Sequence, residues 1–88
     1  MNNLDKLEQD LRDLGEIETE ILETVTRMID KGHRPEAVGA VLAKTTYAIY
    51  KTVLPAGDYE QMALYLYEAS PSVKSFNELA VSHSRHLN

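Results

Sequence analysis

The sequence predicts an all-α fold, and three observations carry that expectation. Leucines at 4, 7, 11 and 14 open a 3-4 spacing that Ile21, Val25 and Met28 continue, which is the recurrence of one helix face. Two punctuated restarts, Gly32 to Pro35 and Pro55 to Asp58, divide the rest into further helix-length segments. No stretch alternates apolar and polar residues with the two-residue period of a half-buried strand. The expected architecture is a long N-terminal helix packed on a helical hairpin plus a short C-terminal helix, in one domain over residues 1–88 that assembles as an oligomer.

The first helix is expected over residues 3–31. In heptad terms Leu4, Leu11, Glu18 and Val25 take the a positions, and Leu7, Leu14, Ile21 and Met28 the d positions. Ile17, Leu22 and Ile29 widen the stripe beyond a bare coiled-coil seam. Glu18 interrupts it, and Gly15 costs about 1 kcal/mol relative to alanine inside a helix. Gly32 is placed to end the helix in the left-handed conformation. A helix of this length spans about 42 Å, whereas a compact domain of this size is about 31 Å across. Either Gly15 divides the helix into two segments, or its overhanging part pairs with a partner.

Arg34-Pro35-Glu36 then starts a second helix, expected over 35–54, with proline at the first helical position and an acid in the first turn. Val38, Val41, Leu42, Thr45, Ile49 and Val53 fall on one face of it. Ala40, Ala43, Tyr47, Tyr50 and Leu54 fall on the opposite face, bordered by Lys44 and Lys51. A helix apolar on both sides is central and covered twice, so one face is expected to meet the first helix and the other a different surface. A third helix is expected over 58–69, capped by Asp58 with Gln61 in the capping-box position and with Tyr59, Met62, Ala63 and Leu66 facing inward. Ser70-Pro71 ends it. A short fourth helix over 72–82 carries Val73, Phe76, Leu79 and Ala80, and residues 83–88 form a polar, fraying tail.

Composition narrows the function classes. The chain has no cysteine, which excludes disulfide frameworks, thiol catalysis and thiolate metal sites. Its start, MNNLDKLEQD, is too charged for a signal peptide, and no apolar run reaches membrane-spanning length. A protein in the cytoplasm that does not insert into membrane is expected. The net charge of −5 is uneven: residues 1–30 hold nine acids and three bases, and residues 31–88 six bases and five acids. No cationic stripe exists to neutralise phosphates, so direct nucleic-acid binding is not expected. The acidic first helix is suited instead to a basic partner or to solvent.

No enzyme is expected. The chain lacks a glycine-rich phosphate loop, a nucleophile elbow and a paired-histidine zinc motif. His83 and His86 stand three apart, but a useful metal site wants a third ligand and a protected surround. Neither catalytic nor metal-binding residues are assigned, and no cofactor. The five tyrosines point to protein contact, since each offers a large apolar face with a polar tip. The expected interaction residues are Tyr47, Tyr50, Lys51 and Leu54 on the second helix, with Leu4, Leu7 and Leu11 on the first. Homodimerisation or a higher homo-oligomer is the expected assembly. An acidic inhibitor of a nucleic-acid-binding protein and a small-ligand-binding oligomer with a tyrosine-lined pocket are the alternatives.

The stretch from Lys31 through Phe76 also carries a pattern. Gly32 and Pro35 form a turn, an alanine-containing helix ends in Ile49-Tyr50-Lys51-Thr52-Val53-Leu54, Asp58-Tyr59 restart the chain, and Met62, Val73 and Phe76 follow. In these features it resembles small all-helical proteins of T-even-like phages, among them the accessory proteins of lysis inhibition, over about half the chain. The resemblance implies action in the host cytoplasm, in support of an antiholin-holin complex that delays lysis, by binding the holin's cytosolic part. It implies no catalytic residue.

Overall fold

A computed structural model describes the backbone of residues 3–87 and the side chains of residues 3–82. Four α-helices and one 3-10 turn account for nearly all of it, and no strand occurs among the described residues, so the chain is all-α. It divides into two units, one ending at His33 and the other beginning at Arg34.

The first unit is a single helix, α1, spanning Asn3–Asp30. It runs unbroken through Gly15, and the Thr19 hydroxyl donates back to the Gly15 carbonyl at 2.9 Å. The glycine lowers helix propensity without dividing the helix. Gly32, at φ 102°, ends the helix. The Gly32 N–H donates to the Ile29 carbonyl at 2.9 Å and the His33 N–H to the Met28 carbonyl at 3.1 Å, the paired bonds of a Schellman turn. Val25 is the one buried residue of α1, with Leu22, Met28 and Ile29 half-buried around it.

The second unit opens with α2, Pro35–Val53. Arg34 supplies the cap through its backbone alone, its carbonyl accepting from the N–H groups of Ala37 and Val38. Helix α2 stops one residue before the expected boundary. Leu54 is extended (φ −111°, ψ 143°) because the residue before a proline is forced out of the helical region. Helix α3 spans Ala56–Ala69 and is capped by Pro55, whose carbonyl accepts from the Tyr59 N–H at 2.9 Å. The expected start at Asp58 is thus corrected by two residues. Pro55 presets the entry angle, and Asp58 lies inside the first turn, where a carboxylate meets the positive end of the helix.

Tyr59, Met62, Ala63 and Leu66, the stripe expected to face inward, are each half-buried. The rings of Tyr47 on α2 and Tyr59 on α3 meet edge to face, with centroids 6.3 Å apart and planes at 69°. Ser70–Ser72 form a 3-10 turn after α3. The last helix, α4, spans Phe76–Leu87 rather than 72–82, and its backbone continues to Leu87 through most of the expected tail. The displaced start has a local cause. Ser75 accepts from the Glu78 N–H at 3.2 Å and donates to the Glu78 carboxylate at 3.1 Å, a reciprocal cap that fixes the helix start after Ser75.

Candidate interaction surfaces

Two side chains are buried among the described residues, Val25 at 7% and Val38 at 6% exposure. Most other large apolar groups face solvent, and they are ordered into helix faces. On α1, Leu4, Leu7, Leu11, Leu14, Ile17 and Ile21 form a continuous stripe, each between 46% and 66% exposed. The stripe lies within the a, d and g positions of the heptad frame and covers about 27 Å of helix.

The acids of the same segment are all exposed: Asp5, Glu8, Asp10, Asp13, Glu16, Glu18 and Glu20, against Lys6 and Arg12. Some are held locally, as where Gln9 donates to Asp13 at 2.9 Å and Arg12 to Gln9 at 3.0 Å. The groove beside the first turns is lined by polar side chains of this helix alone, including Lys6, Gln9 and Arg12, and encloses nothing.

On α2 the exposed apolar face consists of Val41, Leu42, Ile49 and Val53, with Thr45 among them. The flanking Thr46 and Thr52 hydroxyls donate to the carbonyls of Leu42 and Ala48, four residues back. Hydroxyls satisfied within the helix can be covered by a partner without orphaning a donor. On α3, Leu64, Tyr65 and Tyr67 are exposed, and Val73 beyond it.

The residues singled out from sequence divide into two groups. Leu4, Leu7 and Leu11 lie on the exposed stripe of α1, and Lys51 is exposed on α2. Tyr50 and Leu54 are half-buried, and Tyr47, 37% exposed, has its ring against Tyr59. The tyrosine face of α2 is therefore turned in part towards its own hairpin partner. The opposite face of α2 keeps Val41, Ile49 and Val53 exposed. Periodicity had marked both faces as apolar and could not rank them.

Sequence reasoning passed over Leu14, Ile17 and Ile21 as contact residues, although their spacing continues that of Leu4 to Leu11. The side chains of His83 and His86 lie outside the described residues. Among those described, no helix is long and apolar enough to cross a membrane, and no group of three histidine or acidic side chains is gathered as a metal would need.

The fold and surfaces define an all-helical chain with exposed apolar helix faces. No protein-family model, curated protein or solved structure matches it.

Proposed function

We propose that this chain is a non-enzymatic protein-protein interaction module that self-associates and engages a second protein through its exposed helix faces. The observation that supports this most is that, among the described residues, two side chains are buried while six aliphatic ones along one side of α1 are exposed. Contiguous apolar surface of this kind marks interaction sites in water-facing proteins. The resemblance of residues 31–76 to the phage proteins gives the reading its particular form. In that form the chain is an accessory factor in lysis inhibition, acting in the host cytoplasm on a holin-antiholin complex.

A second reading has its own support. The segment from Asn3 to Ile21 carries seven acids and two bases, all exposed, and suits an anionic rod that occupies a host nucleic-acid-binding protein. Capture from phage-infected host lysate, followed by mass spectrometry, separates the two. The first reading expects the holin to be recovered by the wild type and by Glu16→Lys/Glu20→Lys, and lost with Ile49→Asp. Recovery of a polymerase or nuclease, lost on the charge reversal and kept with Ile49→Asp, would transfer the assignment to the anionic mimic.

A further inference from the structure

We infer that the segment of α1 from Leu4 to Ile21 is a docking face for a basic amphipathic helical segment of another protein. The inference deepens the interaction reading, on which it rests, by naming the chemistry of the partner at one surface.

Whatever covers an apolar face has to match the polar groups set into it. Asp10 takes a g position and Glu18 an a position, both among the positions that the aliphatic stripe itself uses. At helical spacing Asp10 neighbours Leu7 and Leu14, and Glu18 neighbours Leu14 and Ile21. Glu8, at an e position, borders the stripe on its other edge. These three acidic residues and the six aliphatic ones are all exposed. A partner that lies on the leucines therefore also lies on Asp10 and Glu18, and takes water from both.

That requirement selects among partners. A neutral apolar segment would strip water from two charges and offer them no counter-charge. A second copy of α1 would bring further carboxylates to the same place, so it is the weaker occupant. Lysines or arginines spaced three and four residues apart on an apolar helix can meet both carboxylates while its aliphatic side covers the stripe. The wider field has the same sign. From Asn3 to Ile21 the helix carries seven acids against Lys6 and Arg12, so it draws a cationic segment towards this face.

The size of the face sets the strength of the contact. Six aliphatic side chains, at on the order of 100 Å² each, give at most about 1,200 Å² counted over both partners, the size of a transient complex rather than an obligate one. In a contact of that size the charges supply the choice of partner and the speed of encounter, and salt weakens it.

The test uses the full chain and three synthetic helical peptides with the same leucine positions, their remaining positions filled by lysine, glutamine or glutamate. Binding is read by fluorescence anisotropy at about 0.15 M salt, where charges are screened over about 8 Å. The leucine-lysine peptide is expected to bind about tenfold more tightly than the leucine-glutamine one. Asp10→Asn/Glu18→Gln is expected to weaken its binding about tenfold. Glu16→Gln/Glu23→Gln removes the same charge from f positions, across a helix about 10 Å wide, and is expected to change it by no more than about twofold. Asp10→Lys/Glu18→Lys is expected to turn the preference towards the leucine-glutamate peptide, a gain that loss of folding cannot produce. Equal binding of the lysine and glutamine peptides overturns the basic partner. Equal weakening by the two neutralised pairs overturns the face, because net charge alone would then explain the response. Failure of every peptide to bind overturns the docking site. None of these results alters capture by the α2 face, on which the interaction reading is judged separately.

Discussion

Truncating Leu11 to alanine removes three carbons from the centre of the α1 stripe, and the cost is calculable. Fully burying those carbons is worth about 2.4 kcal/mol at about 0.8 kcal/mol each. Leu11 is 60% exposed in the single chain, so the proposed pairing would withdraw at most that fraction. The loss is then about 1.4 kcal/mol per copy and about 3 kcal/mol for a symmetric pair. At 1.4 kcal/mol per decade, the dimer dissociation constant should rise about 100-fold. Sedimentation equilibrium across concentrations spanning the wild-type midpoint measures it directly.

Val73→Ala is the control, being more exposed at 70% but lying outside α1. It should move the constant by no more than about twofold, as ordinary surface changes do. Equal effects from the two variants would refute the reasoning, because exposure alone, and not position on the stripe, would then be setting the response. Salt supplies a sign check within the same assay. Two acidic segments repel, and salt screens that repulsion, so self-association should tighten as salt rises. A basic partner on the same stripe would show the opposite trend.

Two other expectations concern the helices themselves. Gly15→Ala should stabilise α1 by about 1 kcal/mol, since nothing lies near the added Cβ, while Gly32→Ala should cost about 1 kcal/mol at its left-handed φ. Thermal melts followed by circular dichroism should rank the three proteins in that order, and an inverted order would contradict the roles given to the glycines. Ser75→Ala removes the cap of α4 and should cost about 1 kcal/mol, read as faster amide exchange over residues 76–79. Unchanged exchange there would show that the helix start does not depend on the Ser75-Glu78 pair.

The parts of this fold that sequence made legible are those set by backbone stereochemistry. Pro35 opens α2, Pro55 ends it one residue early, and Gly32 closes α1, each through a restriction that no tertiary contact overrides. Where two local solutions competed, the outcome was harder to read. Asp58 with Gln61 has the spacing of a capping box, yet Pro55 starts α3 first, while the cap formed by Ser75 and Glu78 falls inside a segment expected to be helical already.

The contact surface was half legible for a related reason. The 3-4 spacing of α1 marks its stripe without reference to anything else in the chain. Helix α2 has two apolar faces, and which one is covered depends on how α3 returns against it. The Tyr47-Tyr59 contact is an event between helices, and no periodicity within one helix encodes it.

The near absence of buried side chains bears on how long the protein survives in a cell. Among the described residues only Val25 and Val38 are buried, so local opening of a helix gives up few contacts and presents cleavable backbone to proteases. The proposed pairing would shield that backbone, and the shielded fraction would rise with concentration. Copies made in excess of their partners would then be the first to be degraded, and the lifetime of the protein would measure how much of it is engaged.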